Sequence, residues 1–349
     1  MKKHKICKIL LVILAIFLCV AFYELLGICV AYKKQPEVSN TTKKETKNGS
    51  WNECSENTER AVIIEKNPEA LLQRVRLIKN AKKEIILSTF AFQSDESGKL
   101  ILGALHDAAD RGVHIRLLVD GMESWIDMEG NPYFYGLSSH ENVEIKLYNK
   151  ANPLKPWKMM GRMHDKYLIA DGKRYILGGR NTYNYFLGDF PGHKNYDRDV
   201  LVVCDEPEKE NSVNQLLEYF ETIWEQEDSG YFHDNKKLAN RKSVKNAVLE
   251  LQNGYQKYFE ENKERICDTD YTDETFETEK IALVSNPIHT GPKEPVVWYQ
   301  LGELMKNAKE RVKIHTPYII CNDMMYNTWK EIAERVPDFS IMTNSVANN

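Results

Sequence analysis

The chain has 349 residues and a formal charge of −4 at pH 7, with 42% apolar and 28% charged residues. That is the balance of an ordinary globular protein with length for a large core, and it excludes the overall basic footprint of a general nucleic-acid binder. The cysteines show no CxxC and no His/Cys spacing suited to zinc, so no metal site and no cofactor is expected.

At the N-terminus, Ile9 to Tyr23 is an unbroken apolar run that Glu24 interrupts and Leu25 to Tyr32 resumes. The total of roughly 24 residues suffices to cross a bilayer. Lys2, Lys3, Lys5 and Lys8 precede it, so the positive-inside rule keeps the N-terminus in the cytoplasm and the bulk of the chain outside, with Lys33 and Lys34 weakening the asymmetry. A cleaved signal peptide is the competing reading. The long apolar region without a small-x-small site favours an uncleaved anchor over residues 1–34, and bulky Ile28 beside Cys29 argues against a lipobox. Glu24 is expected toward the outer part of the span, where its cost is lower. Residues 35–60 read as a polar tether. Cys54, Cys204, Cys267 and Cys321 leave room for an extracytoplasmic disulfide, although Cys204 reads equally as a buried thiol.

From residue 61 short β-branched runs alternate with amphipathic helices. Asn67-Pro68 reads as a helix cap and first-turn proline, with Leu71, Leu72, Val75 and Ile78 as the apolar face. Glu84 to Phe92 is a predicted strand, Gly98 to Arg111 a helix closed by Gly112, and Val113 to Val119 a strand parallel to the first. Val143 to Tyr148 extends the sheet, and the class is α/β.

The chemistry lies in His164-Asp165-Lys166 through Asp171 to Gly178-Gly179-Arg180-Asn181. Alternation along His164 to Ala170 points His164 and Lys166 to one face, and Asp171-Gly172-Lys173 is a turn into a second strand over Arg174 to Leu177. The two glycines let backbone and ligand approach closely. A neutral imidazole can attack phosphorus while Lys166 and the Asn181 amide hold the non-bridging oxygens. This HxKxxxxD run followed by GGxN resembles the phospholipase D superfamily. The resemblance implies a phospholipase D-like sandwich, a mixed β-sheet flanked by helices. It also implies His164 as nucleophile forming a phosphohistidine, Lys166 and Asn181 as phosphate ligands, Asp171 as the structural acid, and Asp199 as the acid that orients the histidine ring. Asp197 is the less favoured alternative for that last task. Phe220 and Trp224 match the family's FxxxW helix and read as packing.

The chain also repeats itself. Lys79-Asn80-Ala81-Lys82 leading into Glu84 to Phe90 returns as Lys306-Asn307-Ala308-Lys309 leading into Arg311 to Tyr318, offset by 227 positions. Ala109-Asp110-Arg111 and the following strand return at Ala333-Glu334-Arg335 with an offset of 224. The organisation expected is therefore a complete first lobe (61–230), a helical connector (231–280) and the beginning of a second lobe (281–349). In the resembled family each lobe supplies one HxKxxxxD motif. The counterpart of His164 would fall roughly 40 residues past Asn344, so the sequence looks truncated before it, and the segment from Met342 to Asn349 resembles the one that precedes the second motif in bacterial cardiolipin synthases. A homodimer that pairs two histidines across a two-fold axis is the alternative to an incomplete enzyme.

For the substrate, Lys150, Lys155, Lys158, Arg162 and Lys166 cluster around Trp157, Met159 and Met160. Lys158 and Arg162, with Gly178 and Gly179, are the candidate substrate-binding residues. A basic and aromatic loop on a membrane-tethered protein suits an anionic phospholipid such as phosphatidylglycerol, acted on by phosphatidyl transfer or hydrolysis. The same loop could serve a nucleic-acid backbone, which the anchor disfavours. A non-catalytic lipid-binding fragment ranks third.

Overall fold

The computed structural model describes residues 2–49, 59–207, 211–233 and 235–345, with two compact units: Met1–Lys33 with Cys54–Leu283, and Lys34–Glu53 with Val284–Asn349.

The first unit opens with α1 (Lys2–Ala31), whose stretch Lys5–Ala31 is long and apolar enough to cross a membrane and is 0% buried. The segment read as a tether is not wholly irregular. It contains α2 (Asn40–Asn48), which belongs to the second unit: Ser39 caps it by accepting from Thr42 N at 3.1 Å, and Gly49 at φ 73° closes it. Hydroxyl-rich composition here marks a cap rather than a solvated linker, because Ser and Thr satisfy the unpaired amides of a first turn. Cys54 lies outside the described residues; Cys204 is buried, and Cys267 and Cys321 are exposed free thiols.

β1 (Arg60–Ile64) leads into α3 (Asn67–Asn80), β2 (Glu84–Thr89), α4 (Glu96–Asp110) and β3 (His114–Asp120). Short α5 (Glu123–Met128) and α6 (Pro132–Ser138) follow, then β4 (Val143–Tyr148). β5 (Lys166–Ala170) and β6 (Arg174–Gly178) form the motif hairpin, followed by β7 (Asp199–Val203), α7 (Ser212–Trp224) and β8 (Ser229–Tyr231). One nine-stranded mixed sheet results, in the order β8-β4-β3-β2-β5-β6-β7-β1-β9, where β9 is Phe276–Glu277. β2, β3 and β4 are parallel; β5, β6 and β7 are antiparallel to their neighbours. Asn67 does not cap α3. Its side chain is buried and donates to Asn195 O at 2.9 Å, holding a distant loop instead. Asp95 caps α4, accepting from Gly98 N at 3.0 Å.

The expected connector belongs to the first unit. α8 (Lys242–Glu261) buries Val244, Ala247, Leu251, Tyr255 and Phe259, a stripe with helical spacing, against α4 and α6. Gly103 of α4 admits it: a Cβ there would sit 2.7 Å from Leu251 O and 2.8 Å from Tyr255 Cβ. α9 (Lys263–Cys267) then packs on α3. Buried Arg76 of α3 fastens the chain beyond α9, pairing with Glu274 at 2.8 Å and lying 3.9 Å from the Tyr271 ring centre.

In the second unit α10 (Val296–Lys306), β10 (Arg311–His315), α11 (Asp323–Arg335) and β11 (Asp338–Met342) follow the order of α3, β2, α4 and β3. β10 and β11 are parallel with Arg311 opposite Asp338, as Glu84 is opposite His114 in the first unit. Those partners differ by the same 227 and 224 positions that relate the repeated sequences, so the repeat extends to strand register.

Leu251→Ala should destabilise the full chain by about 2–5 kcal/mol through the cavity it leaves, whereas Leu249→Ala, at a residue 57% exposed, should stay within about 0.5 kcal/mol. Denaturant unfolding in detergent measures both, and equal small effects would mean that α8 is a solvated connector after all.

Candidate active site

His164, Lys166 and Asn181 meet at the end of the sheet where β2, β3 and β4 finish. β5 runs the other way, so Lys166 begins it at that same end, opposite Thr89, the last residue of β2. The hairpin is set by Asp171 and Gly172, with φ of 55° and 63°, and by Lys173 N donating to Ala170 O at 3.0 Å. Two successive left-handed residues give the turn whose twist matches the strands. The Asp171 carboxylate accepts from Lys83 N at 2.7 Å, Lys82 N at 2.9 Å and Glu84 N at 3.0 Å. It fastens the entry to β2 at the opposite end of the hairpin from Lys166, as a structural acid would.

His164 lies just before β5. His164 is exposed as a residue although its imidazole is partly desolvated, while Lys166 is 6% exposed between β2 and β6. Lys166 Nζ donates to His164 Nδ1 at 3.1 Å and to His164 O at 2.7 Å, so imidazole and ammonium are side by side. Phe90, one residue beyond β2, supports both: its ring centre is 4.6 Å from that of His164 and 5.4 Å from Lys166 Nζ. Partial burial, then the adjacent ammonium, holds the His164 pKa below its ordinary value. Desolvation pushes Lys166 down to about 8, with Asp165 and Asp197 opposing that shift.

After β6 the chain crosses to the segment beyond β2. Thr182 N donates to Ala91 O at 3.0 Å, Gln93 N donates to Thr182 O at 3.3 Å, and Ala91 N donates to Asn181 Oδ1 at 3.2 Å. Asn181 is thereby fixed next to Phe90, with the oxygen side of its amide already engaged.

The glycines answer to a different need from the one expected. A Cβ on Gly178 would lie 2.0 Å from Asp199 Oδ1, and one on Gly179 would lie 2.1 Å from Asp197 Oδ2. Two carboxylates of the neighbouring strand occupy the space reserved for a ligand. Asp199 does not hold the histidine ring; its Oδ2 is 2.9 Å from Arg74 Nη1 and 3.2 Å from Arg180 Nη1, all three groups being buried. Apolar surroundings force that carboxylate to pair, and Arg74 and Arg180 are the charges that reach it. Asp197, after Asp165, acts electrostatically on Lys166, so the less favoured alternative is the one of the two that faces the His164–Lys166 pair.

Two candidate substrate ligands are also engaged elsewhere. Lys158 Nζ pairs with Asp228 at 2.6 Å, and Arg162 pairs with Asp120, whose side chain is fully buried. Desolvation lowers Arg162 to about 10, still charged at neutral pH. Asp120 accepts from Met163 N at 3.1 Å as well, so that pair sets the backbone immediately before His164. Phe90, Arg74, Arg180 and Asp120 were missed in the sequence, where Arg180 alone had a signal, its place inside GGRN. Phe220 and Trp224 are buried on α7, 5.3 Å apart by ring centres, and pack as expected.

Among known proteins, residues 74–224 match the profile of the cardiolipin synthase, phospholipase D-like domain. Residues 74–224 form a phospholipase D-like domain. An uncharacterized protein of Helicobacter pylori is 28% identical over 316 residues, 82% of this chain and 60% of that protein. Cardiolipin synthase C of Escherichia coli is 29% identical over 171 residues, 45% of this chain and 34% of the synthase. The chain thus spans about 60% of the length of the Helicobacter relative and about a third of the synthase. The crystal structure of phosphatidylserine synthase from Haemophilus influenzae shares the fold at a TM-score of 0.58 and 16% identity, covering 87% of this chain and 66% of the other.

Competitive acetylation across the pH range, read by mass spectrometry, should place the Lys166 midpoint at about 8. Asp197→Asn should move it lower, because the lost negative charge no longer favours the ammonium. Asp199→Asn should instead cost about 3–5 kcal/mol of stability by stranding two buried arginines. An Asp199→Asn protein of unchanged stability would return that residue to the list of ring-orienting candidates.

Proposed function

We propose that the chain is a membrane-anchored phosphatidyltransferase or phosphodiesterase, cardiolipin synthase-like, that works through a covalent phosphohistidine on His164. The observation that carries this reading is the imidazole of exposed His164, 3.1 Å from the buried Lys166 ammonium, beside a fixed Asn181 amide. The ring of an exposed residue with lowered pKa is neutral and reachable at physiological pH. The buried cation is worth more to a phosphate than a solvated one would be.

A phosphodiester whose oxygens take a hydrogen of Lys166 and the amide hydrogens of Asn181 draws the ammonium off the ring and frees the imidazole lone pair. That lone pair forms the N–P bond as the P–O bond to the first alcohol breaks, and the alkoxide leaves with a proton. An incoming hydroxyl then gives up its proton, attacks phosphorus and restores His164. With phosphatidylglycerol as donor the first alcohol is glycerol; a second phosphatidylglycerol as acceptor yields cardiolipin, and water yields phosphatidic acid. Asp165 and Asp197 keep Lys166 protonated despite its burial. The proton for the alkoxide is the task of a second imidazole, which a second lobe or a two-fold partner would present.

Because p-nitrophenolate leaves without needing a proton, bis(p-nitrophenyl) phosphate tests the His164 step in isolation. The full chain should release about one equivalent of p-nitrophenolate in a burst and become labelled on His164; His164→Ala should lower the rate by about 10²–10⁴-fold. Activity should fall on the acid side as His164 protonates, below its ordinary pKa of about 6.5, and on the alkaline side as Lys166 loses its proton near pH 8. Equal release by wild type and His164→Ala would overturn the assignment. Lipid mass spectrometry with phosphatidylglycerol as substrate then identifies the acceptor.

A further inference from the structure

The anchor is packed against the loop that precedes the catalytic histidine. Tyr23 Oη donates to Leu154 O at 3.1 Å, and a Cβ on Gly27 would lie 2.5 Å from the ring of Pro156, which opens the 3-10 turn Pro156–Lys158. Helix geometry converts these contacts into depth. Gly27 is about 6 Å and Tyr23 about 12 Å along the axis before Ala31, where α1 ends. The headgroup layer on each side of a bilayer is about 5–7 Å thick, so a span that leaves the headgroup layer at Ala31 would bring the turn to the boundary between headgroups and acyl chains.

What the loop exposes fits that level. Leu154, Trp157 and Met160 are 77%, 45% and 58% exposed. Next to them, α5 projects Trp125 and Ile126, 66% and 79% exposed, with Met122 at 42%. Asp120 ties the two pieces together, accepting from Met122 N at 3.2 Å and Glu123 N at 3.1 Å while it holds Arg162 and Met163 N. Met122 and Lys155 line one small cleft between them. Lys150 and Lys155 are exposed on its rim. A tryptophan and an isoleucine open to solvent on one short helix, continuous with a loop already at the membrane surface and edged by lysines, match the chemistry of an anionic bilayer interface.

We propose that α5, through Trp125 and Ile126, is an interfacial wedge that inserts into the headgroup and upper acyl region of an anionic phospholipid bilayer and seats the His164 face on the lipid plane. The proposal rests on α1 as a membrane span and not on the chemistry given to His164. Aromatic rings at this boundary anchor a protein at a set depth, and the lysines add about 1 kcal/mol each near an anionic surface.

The test is tryptophan emission from the full chain reconstituted in phosphatidylglycerol-containing nanodiscs, with lipids brominated near the top of the acyl chains compared with unbrominated lipids. Wild type should be quenched, Trp125→Phe should measurably reduce the quenchable emission, and Trp157→Phe should remove a further part. Trp224→Phe, at a ring buried in the core, should leave the quenchable part unchanged. Identical quenching in wild type and Trp125→Phe, with unfolding midpoints confirming that both are folded, would overturn the wedge. His164→Ala should be quenched as fully as wild type, so a failure of the proposed chemistry and a failure of the wedge give different results.

Discussion

The buried carboxylate of Asp199 is shared by two buried arginines. Arg74 reaches it from α3, and Arg180 from the loop that carries Asn181. Arg180 also donates to Ile64 O at 3.1 Å and Glu65 O at 2.6 Å, so one buried charge cluster joins α3, the end of β1 and the loop that carries Asn181. Each charge is tolerable only because the others are present. The arrangement therefore specifies one loop conformation rather than many, and Asn181 inherits its position from it. Gly178 is the steric condition for this cluster, since any side chain there would occupy the carboxylate's place.

Around that fixed frame, partial desolvation acts on His164 and Lys166 together. Burial disfavours charge on both, and for the proposed chemistry the results are opposite: it favours the neutral imidazole that a nucleophile would need, and it opposes the ammonium that a phosphate ligand would need. Asp165 and Asp197 oppose the second effect without cancelling it, leaving Lys166 at about 8. A more exposed lysine would keep its proton easily and attract phosphate weakly; a fully buried one without those carboxylates would lose it at neutral pH.

Much of this was legible in the sequence, for physical reasons that differ by residue. The hairpin could be read because Asp171-Gly172 is local turn chemistry; His164 and Lys166 do come together, but the strand begins only at Lys166, whose ammonium reaches the His164 ring and carbonyl from β5. The repeat was legible down to register, since parallel pairing preserves sequence offsets. Asp199 could not be distinguished from Asp197 on the same grounds: alternation puts both on one face, and only the positions of Arg74 and Arg180, distant in the chain, decide which is drawn inward. Lys158 and Arg162 looked available because composition counts charges without their partners; Asp228 and Asp120 come from other elements. α8 was expected only as part of a helical connector, because its docking on α4 depends on the close approach at Gly103, which lies far away in the chain.

An N-terminal helix long and apolar enough to cross a membrane suits the proposed lipid chemistry. A phosphodiester buried among headgroups must either be lifted from the bilayer or be met at its surface. Lifting exposes acyl chains to water at about 0.8 kcal/mol per CH₂, a cost that grows beyond what one phosphate site returns. Meeting it requires the histidine to be held a few ångströms above the lipid plane, at one orientation. A single span fixes height but leaves rotation about its axis open. In the proposed wedge, α5 would supply a second contact off that axis and remove the rotation; because Asp120 ties α5 to the backbone before His164, seating the helix would also aim the imidazole.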